Sequence, residues 1–184
     1  MILTITGMPC SGKTSIVNYL KDKYGFKVIS VSKIFREEAQ RLGLDVVEMN
    51  NALNTGGITE LDRKMDELSV KLGKEYDGQK VIFDSRLAWH FVPNSFKVYI
   101  KLRPEVMQAR LAGSDRDDKE KNAGTKQNSL LERYEIENER FFNMYNVKHS
   151  DLNNYDFVLD NSDMTIEDGA EAIYDAYLNF INNK

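Results

Sequence analysis

A short apolar run, Ile2-Leu3-Thr4-Ile5-Thr6, leads directly into Gly7-Met8-Pro9-Cys10-Ser11-Gly12-Lys13-Thr14, and a helix-like segment follows. These eight residues match GxxxxGK[ST] at every fixed position, in the strand-to-helix setting that gives the motif its meaning. The spacing has a chemical reason. Glycines let the backbone curl so that successive N–H groups converge on phosphate oxygens. The start of the following helix adds a partial positive charge. Lys13 is placed to reach the β- and γ-phosphates, and the Thr14 hydroxyl to hold Mg²⁺. Gly7, Met8, Pro9, Cys10, Ser11, Gly12, Lys13, Thr14 and Ser15 are therefore the expected ATP-binding segment. Cys10 has two readings here: a small residue tolerated where many such loops carry glycine, or a thiol activated by the helix N-terminus.

The rest of the chain alternates strand-like and helix-like runs, the pattern of an α/β domain with a parallel sheet. Residues 2–6, 27–30, 80–84, 96–101 and 156–159 are short and rich in β-branched or aromatic side chains, as buried strands are. Helices are expected from 13 to about 24, from 32 to about 42, over 61–72, over 105–111 with Pro104 in the first position, and over 130–145. Thr165 and Asp168 form a capping-box pattern at the start of a last helix. A polar stretch from about 112 to 124 has almost nothing to bury and reads as a surface lid, and about 37–78 reads as a helical insertion. The 184 residues suit a single domain spanning 1–184.

Composition narrows the partners. Charged residues make up 29% of the chain, with both signs interspersed and a net charge of −4, so no basic surface for nucleic acid or anionic lipid is expected. No apolar stretch approaches the roughly 20 residues of a spanning helix. The initial run enters the phosphate motif at once, so no leader is expected. The single cysteine forbids an intrachain disulfide. A cytoplasmic location is the expectation.

Further motifs lie in order along the chain: Val28-Ile29-Ser30-Val31-Ser32-Lys33-Ile34-Phe35-Arg36, then Val81-Ile82-Phe83-Asp84-Ser85-Arg86-Leu87-Ala88, then Glu132-Arg133, Glu137 and Arg140. With the run from Tyr145 to Asp156, they resemble the cytidylate kinases in their compact form, collinearly from Ile2 to about Ser162. Ser32, Ser85 and Cys10 stand where that family usually has glycine. The resemblance implies a three-layer P-loop kinase fold, with a five-stranded parallel sheet in the order 2-3-1-4-5. It implies Ser30, Arg36, Asp84, Arg86, Arg133, Glu137 and Arg140 around the acceptor, with Lys13, Arg86 and Arg133 catalytic. Within that set Arg36 and Arg86 would hold the acceptor phosphate, Arg133 phosphates and sugar, Glu137 the sugar, and Arg140 the base.

Elementary chemistry points the same way. A phosphate acceptor is already anionic at neutral pH, so it needs neutralisation more than a general base. The planar fork of arginine does this well. Arg36 and Arg86 follow strands two and three, where ligands of open α/β sheets gather. Asp84 closes an apolar strand, a place suited to an acid that organises Mg²⁺ together with Thr14. Arg133, Glu137 and Arg140 share one helix face and equally suit an ion-pair ladder. Arg110 and Arg116 read either as lid groups or as solvated charge. Asp62 and Asp66 read as structural, Trp89 as packing, and His90 and His149 lack a partner at ligand spacing. The expected reaction is transfer of the ATP γ-phosphoryl group, with Mg²⁺, to a nucleoside monophosphate, CMP or dCMP. Another small acceptor (a different nucleotide, dephospho-coenzyme A or a nucleoside) is the alternative, as is a non-catalytic ATP-binding switch.

Overall fold

The computed structural model describes residues 1–31, 33, 34, 37, 40, 59–112 and 123–183; at 59–62 and 123–133 only the backbone is described. Strands β1 (Ile2–Gly7), β2 (Lys27–Ser30), β3 (Val81–Asp84), β4 (Ser95–Lys101) and β5 (Phe157–Asp160) form one sheet in the order β2-β3-β1-β4-β5. Every pairing is parallel. All carboxyl ends therefore open on one edge.

Strand side chains alternate between faces, and the register keeps like with like. Leu3 lies beside Ile82 and Phe96, and these face helix α1 (Lys13–Tyr24) and the last helix, α6 (Ile166–Asn182). Ile16, Val17 and Leu20 of α1, and Ala170, Ile173 and Tyr177 of α6, complete that layer at helical spacing. Ile2, Val81, Phe83 and Ile29 face the other way, onto helix α2 (Thr59–Glu75) and the short α3 (Ala88–Phe91), through Met65, Leu72, Ala88 and Val92. Full burial of an aliphatic side chain contributes about 1.5–3 kcal/mol, so these two cores carry most of the stability. A third cluster, Leu87, Trp89 and Phe141 with Tyr145 and Tyr155, joins the long helix α5 (Ala123–Tyr145) to the loop after β3. Helix α4 (Pro104–Ala112) follows β4.

Local signals explain the ends. Gly25 closes α1 in the left-handed region at φ 70, its N–H donating to Lys21 O, and a Cβ there would meet nothing; the glycine serves the backbone angle alone. Thr165 caps α6 by accepting from Asp168 N–H, as its sequence pattern predicts.

Three elements differ from the sequence reading. Helix α5 begins at Ala123, seven residues before the expected Leu130, because its first turns have no apolar periodicity to betray them. Helix α3 was not expected, since four residues are too few to show a period. Helix α2 runs longer at both ends than 61–72. Most of the expected helix over 32–42 lies outside the described residues, as does 113–122 of the expected lid. Among the described residues no helix is long and apolar enough to cross a membrane.

Candidate active site

Gly7 ends β1, and a Cβ there would stand 2.8 Å from Ile100 O and 3.0 Å from Ser11 Oγ, so only glycine lets the loop pass this close to β4. Met8 N–H donates to Ile100 O at 2.9 Å, and Ser11 N–H to Met8 O at 3.2 Å. Gly12, at φ 81, turns the chain into α1, where no side chain caps the helix and no acid occupies the first turn. Such an end suits an anion. Cys10 also adopts a left-handed φ of 59, uncommon for a residue with a Cβ, and its free thiol is half-buried.

The loop is also tied from behind. Asn161, fully buried just past β5, donates Nδ2–H to Ser11 O at 2.8 Å. Arg110 of α4 donates to Asn161 O at 2.7 Å. Arg110 thus sits against the rear of the phosphate loop, at the β5 end of the sheet.

Across the loop, Asp84 closes β3 beside Ile5, and its carboxylate contacts the Lys13 ammonium. The two side chains are 23% and 17% exposed, so the pair is largely withdrawn from water. Burial, and then the charge of Arg86, hold the Lys13 ammonium down to about 8. The Asp84 contact works in the opposite direction without prevailing. Ser30 ends β2 in register with Asp84.

Two residues beyond Asp84, Arg86 forms an ion pair with Glu137 of α5. The loop that carries Arg86 is anchored on the backbone. Thr6 Oγ1 donates to Ser85 O at 3.0 Å, and Trp89 Nε1–H donates to Arg86 O at 3.0 Å. Trp89 is buried, as a packing residue should be. Helix α5 is anchored by its own inner face. Tyr134 Oη shares a hydrogen bond with Tyr99 Oη of β4, and burial raises both phenols. Asn138 Oδ1 meets His149 Nδ1 and accepts from Ser150 N–H at 3.2 Å. His149 is fully buried between Tyr134 and Phe141. Burial, with Arg86 adding to it, holds this imidazole down to about 3, so it is neutral at ordinary pH. At the far side, Tyr145 Oη donates to Asp66 of α2.

The structure thus brings together Lys13, Asp84, Arg86 and Glu137, with Thr14 on the same edge. Arg140 lies one turn beyond Glu137, over the Phe141 ring at 5.1 Å. Arg36 and Arg116, and the side chain of Arg133, lie outside the described residues. Sequence reasoning missed Asn161, Asn138 and His149, whose roles come from long-range contacts that no local pattern announces. It also missed the pairing of Arg86 with Glu137. For Mg²⁺ the donors fit: the Thr14 hydroxyl and the Asp84 carboxylate are hard oxygen ligands, and this cation takes few of them beside phosphates and water. Among the described residues there is no cluster of three or more His, Cys, Asp or Glu that would hold a metal by itself.

The chain is similar to known proteins in sequence and in fold. A family model described as an AAA domain, AAA_18, matches residues 3–140. A cytidylate kinase of Methanocaldococcus jannaschii is 31% identical over 172 residues, covering 91% of this chain and 92% of that protein. A cytidylate kinase of Sulfurisphaera tokodaii is 30% identical over 98% of this chain and 97% of that protein. Among solved structures, shikimate kinase from Bacteroides thetaiotaomicron superimposes with a TM-score of 0.64 over 95% of this chain and 97% of that one, at 13% identity, a likeness of fold alone.

Proposed function

The chain belongs to the AAA_18 family and to the cytidylate kinases, and from that membership we propose that it transfers the γ-phosphoryl group of ATP to CMP or dCMP. The observation that carries the proposal is the meeting of the phosphate loop, Lys13–Asp84 and Arg86–Glu137 at the carboxyl edge of one parallel sheet.

Lys13 and the N–H groups at the start of α1 bind the β- and γ-phosphates. Thr14 and Asp84 would hold Mg²⁺, which would supply further neutralisation. Arg86, with Arg36, takes the acceptor phosphate, and Arg133 bridges the phosphates and sugar. Glu137 accepts from the sugar hydroxyls once Arg86 leaves it. The attacking phosphate oxygen is already ionised, so no general base is needed. Arg86 and Lys13 instead stabilise charge on the transferring group as it develops. Ser30 borders the acceptor side. The half-exposed thiol of Cys10 in the ATP loop supports work in a reducing compartment, the cytoplasm.

Arg140 is assigned the base. Cytosine offers O2 and N3 as acceptors, which suit an arginine fork, whereas uracil turns an N–H toward it. An unpaired buried polar group costs about 1–3 kcal/mol, so roughly 10- to 100-fold discrimination against UMP is expected. The test is kcat/KM for CMP, dCMP, UMP, AMP and GMP, in wild type and in Arg140→Ala. CMP or dCMP should lead, and Arg140→Ala should narrow the lead over UMP. AMP as the best acceptor, or a ranking that Arg140→Ala leaves untouched, would refute the cytidine assignment.

A further inference from the structure

His149 stands beside the acceptor groups with an unanswered lone pair. Asn138 Oδ1 accepts the Ser150 N–H, so that atom is the amide oxygen and His149 Nδ1 must carry the hydrogen that reaches it. Nε2 is then an obligate acceptor. It is buried, it has no hydrogen-bond partner among the described residues, and it lies 3.9 Å from Glu137 Oε2, another acceptor. Tyr134 stacks obliquely on the ring at 4.5 Å and Phe141 meets it edge-on at 5.6 Å; neither offers a donor to Nε2 through its ring. A nearby donor is Arg86, paired with Glu137 and close enough for its charge to act on the imidazole.

The proposed reaction requires Arg86 and Glu137 to part, because one is assigned to the acceptor phosphate and the other to the sugar. We propose that His149 is a positioning residue for acceptor binding, whose Nε2 takes an N–H of Arg86 as the acceptor separates Arg86 from Glu137. The guanidinium has five donors in a fixed fork, enough to keep one on Nε2 while others meet the phosphate. A neutral acceptor suits this task. It orients Arg86 without neutralising it, whereas a carboxylate in the same place would compete with the phosphate for the charge. The buried lone pair, costly while unanswered, then favours the bound arrangement.

This inference rests on the phosphate-acceptor reading above, and two measurements separate its failure from the failure of that reading. The first is nitrogen NMR of the wild-type protein, in which His149 and His90 are the only histidines. Addition of CMP with ADP should move the His149 Nε2 resonance upfield, as a new hydrogen bond does, while Nδ1 stays put. The second is kinetic. His149→Phe keeps the ring and removes the acceptor, and it should raise the CMP KM about tenfold with the ATP KM unchanged. His149→Gln, which restores an acceptor near the Nε2 position, should return the CMP KM to within about threefold of wild type. In an Arg86→Ala background His149→Phe should have no further effect on the CMP KM. An active wild-type enzyme whose Nε2 resonance ignores CMP would overturn the handover alone, even if His149→Phe fails to fold. So would equal rises in both KM values, or a Gln variant no better than Phe. A wild-type protein that phosphorylates no nucleoside monophosphate overturns both readings.

Discussion

The Lys13 ammonium, at the start of α1, contacts the Asp84 carboxylate. Lys13→Ala should leave the fold intact and lower kcat by orders of magnitude, because the lost charge acts on the transferring group. Circular dichroism with steady-state assays checks this; near-wild-type turnover in a folded variant would remove the assigned role. Lys13 also imposes a pH dependence. Its value of about 8 lies below the ordinary 10.5, so between those values the folded protein holds fewer protons than the unfolded chain. Stability from this group therefore rises as pH climbs from 8 towards 10.5, and the full cost of burying the charge is present below 8. Phosphates act in reverse. They raise the lysine, so nucleotide binding takes up a proton and ATP affinity falls as pH rises above 8. Calorimetry at pH 7 and 9 in two buffers of different ionisation enthalpy measures both effects, and Lys13→Ala should abolish the proton uptake.

At the scale of elements, the phosphate loop owes its shape to β4 and to the turn after β5 as much as to its own glycines. Asn161 supplies the rear tether through Ser11 O, and Arg110 holds Asn161 in turn. Asn161→Ala should raise the ATP KM several-fold with a smaller effect on the acceptor KM, since the proposed acceptor groups stand after β2 and β3 and on α5, away from Asn161. A matched rise in both would show a general loosening instead. Legibility in the sequence follows the same division. Ile2–Thr6, Lys27–Ser30 and their counterparts declare buried strands by composition, and Gly7–Thr14 declares its chemistry by contiguous spacing. The Thr165–Asp168 cap is equally local. Arg86 and Glu137 belong to different elements, and each reads singly as a binding residue; their mutual pairing is a property of the folded chain. His149 gave no signal at all, because Asn138 sits across a helix end and only the turn after Tyr145 brings the two together. The onset of α5 was hidden for the opposite reason: its polar first turns lack the stripe by which amphipathic helices are read.

For the whole molecule, parallel pairing throughout the sheet sends every strand's carboxyl end to one edge, where β1 and β3, adjacent in the sheet though far apart in the chain, present the two halves of the site. On that edge two described cations are already matched with anions, Lys13 with Asp84 and Arg86 with Glu137. The consequence is kinetic. Matched charges project little field beyond a Debye length, and the chain as a whole carries a net −4, so an incoming anionic nucleotide is not drawn in from a distance. Encounter should be set by diffusion and by the opening of the pairs. Stopped-flow association of a fluorescent ADP analogue should change by less than about threefold between low and physiological salt, against the steep fall of steered complexes. Glu137→Gln, which leaves the guanidinium unmatched, should speed association at low salt and make it fall as salt is added. A steep salt dependence in the wild type would mean that the pairs open before the nucleotide arrives.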